Sequence, residues 1–237
     1  MIPVVVLSGG LATRLRPISE KIPKALIEIQ GTPFVLLQLE LFKRSGIEHV
    51  HICLGYLGEM VQEVIEKSPF HQHLRITYSF DGDKLLGTGG AVRKAVSQLP
   101  EIFFVTYGDS FLNIDYKSVE TFFLKGSKTT DGLMTVYHND NKFDTSNVVY
   151  KNEKIALYSK KQRLSEMTYI DFGLGILRKS HFKSFPVDFN FDLSDIYESL
   201  SVDGYLLGYE SSERFYEIGS LKGIEDISNY LKQSKYE

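Results

Sequence analysis

The chain has 237 residues, with 27 basic against 30 acidic side chains and a formal net charge of -3. That balance supplies no basic field for a polyanionic backbone, which argues against a nucleic acid polymer as partner. Hydrophobic residues make up 43% and charged residues 24%, a composition able to bury a sizeable core without disulfide or metal staples.

The amino terminus, MIPVVVLSGG, carries no basic segment ahead of an apolar run too short for a signal-peptide core or a membrane span. The expectation is a cytoplasmic chain with no membrane partner; assembly into a homo-oligomer is left open. Pro3 to Leu7 is β-branched and stops at Ser8-Gly9-Gly10, which favours a buried strand. A second strand is expected over Ala25 to Ile29, with Thr32 as N-cap and Pro33 at the first position of a helix from Phe34 to Lys43. His49 to Leu54 reads as a strand and Glu59 to Glu66 as a helix. Cys53, the lone cysteine, lies in the apolar run HVHICLGY and reads as a small core residue, in keeping with a reducing compartment.

Leu74 to Phe80 alternates as a strand, Gly90 to Leu99 reads as a helix, and Ile102 to Thr106 as a buried strand. Strands alternating with helices of this length predict a largely parallel sheet covered on both faces. After about residue 130 the pattern changes. Leu133 to His138, Asn147 to Tyr150, Lys154 to Tyr158 and Tyr169 to Leu177 are strand-like, and Asn152-Glu153 suits a hairpin tip. Helices return over Asp192 to Leu200 and Leu221 to Leu231, with a strand near Tyr205 to Tyr209. The expectation is one α/β domain, mainly parallel at its centre, with an antiparallel elaboration in the second half.

Four places carry candidate chemistry. Leu7-Ser8-Gly9-Gly10 runs from a strand into paired glycines, which lets backbone N–H groups approach an anion. Thr13 adds a hydroxyl; Arg14 and Lys24 add fixed positive charge suited to phosphate. The dinucleotide fingerprint G-x-G-x-x-G and the loop G-x-x-x-x-G-K-[ST] are both absent. A tight turn with solvated cations is the competing reading. Leu86-Gly87-Thr88-Gly89-Gly90-Ala91 is the second place: its glycines leave room for a flat base or sugar, and a helix amino terminus favours anions, or it is simply a glycine-rich helix start. Third is Tyr107-Gly108-Asp109, where an Asp at a strand end can hold a hard cation or serve as a turn residue. Fourth is Glu217-Ile218-Gly219-Ser220, a carboxylate ahead of an N-capping serine.

Together these stretches resemble the signature of the sugar-1-phosphate nucleotidylyltransferase family, roughly G-G-x-G-T-R-L-x-P followed by P-K. Gly9, Gly10, Thr13, Arg14, Leu15, Pro17, Pro23 and Lys24 match it, while Ala12 replaces a glycine. The resemblance implies a single Rossmann-like (GT-A-like) domain, residues 1–130 binding the nucleotide and 131–237 the sugar phosphate. It implies that Leu7, Ser8, Gly9, Gly10, Thr13, Arg14, Thr88 and Gly89 bind the nucleotide, and that Arg14 and Lys24 are catalytic, at the departing pyrophosphate and the α-phosphate. Gly90, Lys160, Asp171 and Gly173 would line the sugar-phosphate site, Lys161 being the alternative lysine. Asp109 and Glu217, the latter replacing a family aspartate, would hold Mg²⁺.

The substrates implied are a nucleoside triphosphate, with GTP preferred, and a sugar 1-phosphate. The likeness is to the short heptose- or mannose-1-phosphate guanylyltransferase-like members. Two other readings stay open: a nucleotide-sugar-dependent glycosyltransferase holding metal through Asp81 and Asp83, for which a simple Asp-Gly turn is the alternative, and a non-catalytic nucleotide or sugar-phosphate sensor. The histidines, His49 and His51 on a strand and His71 and His73 in a turn, read as surface or edge residues rather than ligands.

Overall fold

The structure is a computed structural model describing residues 1–10, 22–126 and 130–233. The opening strand β1 (Val4–Ser8) is buried on both faces. Val4 and Val6 join one core and Val5 and Leu7 the other, which is why the run is apolar throughout rather than alternating.

The next segment differs from the sequence expectation. Lys24 to Leu26 form a single tight turn, and β2 (Glu28–Ile29) pairs with β3 (Thr32–Pro33) as a small hairpin. Gln30 and Gly31 turn it, with φ of 53° and 78°. Thr32 is therefore not the cap of α1 (Phe34–Arg44). Pro33, at φ -52° and ψ 133°, is the cap residue, and no side chain bonds the first turn. A residue before proline is pushed to extended backbone, which puts Thr32 in the hairpin.

Then come β4 (His49–Leu54), α2 (Gly58–Glu66), β5 (Arg75–Phe80), α3 (Gly87–Ala95), β6 (Ile102–Tyr107) and the short β7 (Ser110–Phe111). Helix α4 (Tyr116–Gly126) was not foreseen. It buries Tyr116, Val119 and Phe123, and Asp115 caps it by accepting from the Ser118 N–H at 3.0 Å. The second half comprises β8 (Gly132–His138), β9 (Val148–Lys151), β10 (Lys154–Tyr158), β11 (Tyr169–Arg178), α5 (Leu193–Val202), β12 (Leu206–Glu210), β13 (Tyr216–Glu217) and α6 (Leu221–Gln233). Asn152 and Glu153, at φ 52° and 60°, make the hairpin tip between β9 and β10 as expected.

Among the described residues nine strands form one sheet in the order β5-β4-β1-β6-β11-β8-β12-β10-β9. β5, β4, β1 and β6 run parallel. β11 is antiparallel to β6 and β8, and β12 returns parallel to β8. The sheet is thus mixed rather than mainly parallel: the parallel set ends at β6, and the long strand β11 joins the two halves.

A core containing α1, α2 and α4 covers one face; α3 and α5 cover the other. A third apolar cluster, including Phe34, Phe111, Ile218 and Ile227, seats α6 against α1 and β7. In the parallel half the strand order reverses at β1. An open α/β sheet offers its crevice at such a point, beyond the carboxyl ends of the diverging strands. Among the described residues no helix is long and apolar enough to cross a membrane.

Candidate functional site

A cleft of about 230 Å³ opens at the carboxyl ends of β1 and β6. Leu7, Ser8, Gly9 and Gly10 line it together with Lys24 and with Leu85, Gly87, Thr88 and Ala91. Tyr107, Gly108 and Asp109 close the end, so four separate sequence stretches meet here. Arg14 and Thr13 lie outside the described residues.

Lys24 donates to Asp109 Oδ2 at 2.8 Å, the two side chains being 19% and 27% exposed. The turn bearing Asp109 is fixed by a residue the sequence reading did not single out. Gln38, on the inward face of α1 and 2% exposed, donates its amide to the Tyr107 carbonyl at 2.9 Å and the Ser110 carbonyl at 2.6 Å. A polar residue in an otherwise apolar helical stripe with Phe34 and Phe42 was the available clue. β7 then pairs with β13, placing Ser110 opposite Glu217, while the Ile218 N–H bonds the Asp109 carbonyl at 2.9 Å. The Asp109 and Glu217 segments therefore run side by side. Glu217 lines a neighbouring pocket of about 90 Å³ with Arg214 and Lys222. No cluster of three or more potential metal-ligating side chains occurs among the described residues.

The helix start at Gly87 to Gly90 differs from an open anion site. The Gly89 and Gly90 N–H groups donate to the Phe191 carbonyl at 3.0 and 3.3 Å. A Cβ on Gly89 would sit 2.3 Å from the Phe191 ring, and one on Gly90 2.5 Å from the Phe189 carbonyl oxygen. Both glycines serve close packing under the 189–191 segment, and neither is among the residues lining the cleft. Thr88 does line it, and its hydroxyl oxygen accepts from the Leu193 N–H at 2.8 Å.

The same segment reaches the second half of the site. Asp192 caps α5, accepting from the Ser194 N–H at 2.8 Å, and its Oδ1 accepts from Lys160 at 3.1 Å. Burial works against the Asp192 charge, but the Ser194 N–H and the Lys160 ammonium outweigh it and hold the carboxyl below its usual range. Lys160 is thus the anchored lysine, whereas Lys161 uses its backbone N–H, toward Ser159 Oγ at 3.2 Å.

Asp171 accepts from the Gly173 N–H at 2.9 Å, across a register shift in β11 where Gly173 adopts φ +102°. Only glycine takes that backbone readily, so Gly173 is explained by the bulge. Protein crowds closely around Asp171; this desolvation pushes its carboxyl up to about 6, although the Gly173 N–H and Lys160 act the other way. Tyr107, Tyr158 and Tyr197 feel the Asp171 charge, and burial drives all three phenols upward. Lys160, Asp171 and Gly173 are not among the residues lining the cleft.

Asp81 and Asp83 part company. Asp81 is 8% exposed and lines the cleft, Gly82 turns at φ +87°, and Asp83 is exposed. The turn reading fits. The histidine expectation is corrected: His51 is fully buried, its ring held between Thr77 Oγ1 at 2.9 Å and Ser79 Oγ at 3.0 Å. Cys53 is buried, and desolvation pushes its thiol up to about 12.

Residues 3–148 match the model of the Nucleotidyl transferase family. The D-glycero-alpha-D-manno-heptose 1-phosphate guanylyltransferase of Campylobacter jejuni is 29% identical over 222 residues, covering 90% of this chain and 96% of that protein. Mannose-1-phosphate guanyltransferase beta-A of Xenopus laevis is 24% identical over 92% of this chain, which spans only 61% of that protein's length. Among solved structures, HddC from Yersinia pseudotuberculosis, also seen complexed with GMP-PN, superposes with a TM-score of 0.80 at 24% identity, covering 98% of this chain and all of that one. A Bacillus anthracis protein solved in complex with a sucrose does so with a TM-score of 0.82 at 19% identity, over 98% of this chain and 95% of that one. Matched from its first strand through the cleft and into the second half of the sheet, the chain belongs to the nucleotidyl transferase family.

Proposed function

We propose that the chain transfers a nucleotidyl group from GTP to a heptose or hexose 1-phosphate, releasing pyrophosphate. The observation that carries this reading is the Lys24–Asp109 pair at the edge of a cleft walled by the Ser8 to Gly10 loop. The relatives support the substrate class: two are named guanylyl- or guanyltransferases of a sugar 1-phosphate. In this reading residues 1–130 act as a Rossmann-like nucleotide-binding part, and 131–237 as the sugar-phosphate part.

The sugar-phosphate oxygen is already anionic near neutral pH, so attack on the α-phosphorus needs no general base. What the protein supplies is position and charge neutralisation. Lys24 offsets charge at the α-phosphate, and Arg14 binds the departing pyrophosphate. Ser8, Gly9 and Gly10 provide close backbone approach to the triphosphate. Lys160, held by Asp192, binds the phosphate of the sugar, and Asp171 accepts from a sugar hydroxyl. The hard carboxylate oxygens of Asp109, in the turn just before β7, and of Glu217, on the strand paired with β7, suit Mg²⁺, which ordinarily takes one or two carboxylates together with substrate phosphates. When bound, the ion supplies Lewis-acid polarisation of the phosphoryl oxygens.

The test is pyrophosphate release with Mg²⁺, each nucleoside triphosphate in turn, and a panel of sugar 1-phosphates. Release confined to GTP with a heptose or mannose 1-phosphate supports the reading. Nucleotide binding without release from any pair contradicts it and favours a sensor. A glycosyltransferase instead consumes a nucleotide sugar in the same assay format and is indifferent to changes at Lys24.

A further inference from the structure

The pocket of about 90 Å³ beside Glu217 has no part in the transfer chemistry described above. It lies on the other face of the sheet from Asp171. Phe215, in its wall, packs edge-on against Tyr137 and Phe172, with ring centroids 6.2 and 6.1 Å apart. Phe172 belongs to the core containing α1, α2 and α4, and Tyr137 packs against it. Val136, the β8 partner of Asp171, belongs to the opposite core, and residues paired across strands share a face.

Three cations reach this pocket from separate stretches: Lys142 from the loop between β8 and β9, Arg214 from just before β13, and Lys222 from the first turn of α6. The loop is preset by its own bonds. Asn139 Oδ1 accepts from the Phe143 N–H at 3.1 Å, and Asn141 Oδ1 from the Ser146 N–H at 2.8 Å. Phe143 is thereby presented to the Arg214 guanidinium, which stands 4.1 Å from that ring centroid and 4.8 Å from that of Tyr216. Asp226 accepts from one edge of the Arg214 fork, and the buried Nε has no acceptor among the described residues. A guanidinium stacked on two rings keeps its charge and loses freedom, which suits a directed contact with an oxyanion. Lys142 lies over the Phe143 ring at 5.3 Å and, like Lys222, has no ion-pair partner among the described residues.

Against these three charges stand two carboxylates, Glu217 and the Asp226 already bound to Arg214. One net positive charge remains. Ser220 and Gly223 add the amino terminus of the 13-residue α6, whose dipole favours an anion. Gly223 has a reason to be glycine, since a Cβ there would overlap the Glu217 carbonyl oxygen. Helix α6 and β13 therefore meet backbone against backbone.

We propose that this pocket is a second anion site, separate from the transfer cleft, taking one phosphate group between Lys142, Arg214 and Lys222. Its volume admits the group itself and not a nucleotide; a body attached to the phosphate extends outward past the two exposed lysines. Bound there, the anion ties the 139–146 loop and α6 to the strand that carries Glu217. The phosphate comes either as the free inorganic ion or as a phosphomonoester.

The experiment titrates inorganic phosphate and glucose 6-phosphate, as separate probes, into the full chain by calorimetry in sulfate-free buffer, with thermal melting of every variant. Wild type and Lys24→Gln should both bind phosphate saturably. The double variant Lys142→Gln/Lys222→Gln should bind roughly tenfold more weakly or worse and melt close to the wild type, because both lysines are exposed. Arg214→Lys, which keeps the charge but loses the stacked fork, should weaken binding as well. Binding of both probes marks a phosphomonoester site, and of inorganic phosphate alone a free-ion site. A double variant that binds as tightly as the wild type overturns the proposal, as does affinity lost in Lys24→Gln instead, which places the anion in the cleft. Absence of saturable binding by either probe at millimolar concentration also overturns it. Pyrophosphate release by the wild type reports on the cleft alone, so nucleotidyl transfer stands or falls separately.

Discussion

Lys24 Nζ lies 2.8 Å from Asp109 Oδ2, a contact spanning 85 residues of sequence between the turn after the glycine loop and the end of β6. The pair is partly exposed, so its worth to stability is small, about 0–1 kcal/mol. Both residues line the cleft, and in the proposed reaction they would meet the phosphate charge and its counter-ion. Replacing Lys24 by Met should lower kcat by roughly 10²–10³-fold and shift the melting temperature little. Steady-state pyrophosphate release and thermal melting measure both. Unchanged turnover would remove Lys24 from the reaction.

Gln38 offers a contrasting case, since it touches the site only through backbone. Its amide bonds the Tyr107 and Ser110 carbonyls on either side of Asp109. Gln38→Leu leaves two carbonyls without that donor, at a cost of about 2–3 kcal/mol, and lets the Asp109 turn move. Denaturant unfolding should report the stability loss, and Mg²⁺ titration of activity should show a weaker metal requirement curve. Full stability in the variant would mean that other donors replace the amide.

Much of this was legible from residues alone. β1 and β6 are apolar without alternation because each is covered on both faces, and that pattern, ending in glycine, marked the cleft strands in advance. Ser8 and Asp109 stood out by residue type at strand ends, Lys24 as a fixed positive charge after the glycine loop, and Thr88 through the family resemblance at a glycine-rich helix start. The 189–193 segment was not. Its role depends on backbone groups, the Phe191 carbonyl and the Leu193 N–H, reaching α3 across about a hundred residues of chain, and backbone atoms carry no sequence identity. Helix α4 escaped because its inward residues Tyr116, Val119 and Phe123 sit among polar ones near a turn-rich stretch. The buried His51 was misjudged because Thr77 and Ser79, its partners, stand on a neighbouring strand.

Gly87 tests the segment that covers α3. It adopts φ +73°, and a Cβ there would lie 2.5 Å from the Phe191 carbonyl oxygen. Gly87→Ala should destabilise the chain by about 1–3 kcal/mol, from left-handed strain and the backbone clash together. Urea unfolding measures it; a variant as stable as the parent would show that the Phe191 contact is readily surrendered.

His51 predicts an acid-side loss of stability. Burial lowers its pKa from 6.5 to about 4, with His49 adding to the effect. Between those values the unfolded imidazole takes a proton that the native one refuses. Stability is therefore whole above pH 6.5 and falls as the pH drops toward 4, by up to about 3 kcal/mol. His51→Gln should flatten that part of the curve; an unchanged slope would place the proton uptake elsewhere.

Asp171 acts in the opposite sense. Its carboxyl is raised from 3.8 to about 6 by desolvation, so the native state holds a proton that the unfolded state has released. Its contribution falls as the pH rises from about 4 to 6 and stays low above. Asp171→Asn keeps the acceptor for Gly173 and should recover up to about 3 kcal/mol near pH 7, while weakening sugar 1-phosphate binding. Loss of stability at neutral pH in that variant would contradict the desolvation account.

Labelled GTP gives the decisive test of nucleotidyl transfer at the Lys24–Asp109 cleft. With GTP carrying label at the α-phosphorus, a heptose or mannose 1-phosphate and Mg²⁺, the wild-type chain should move the label into a nucleotide sugar. Label at the γ-phosphorus should appear in pyrophosphate in equal amount, and Asp109→Asn should do neither. Label that ends in GDP and inorganic phosphate, or transfer that survives in Asp109→Asn, would contradict it.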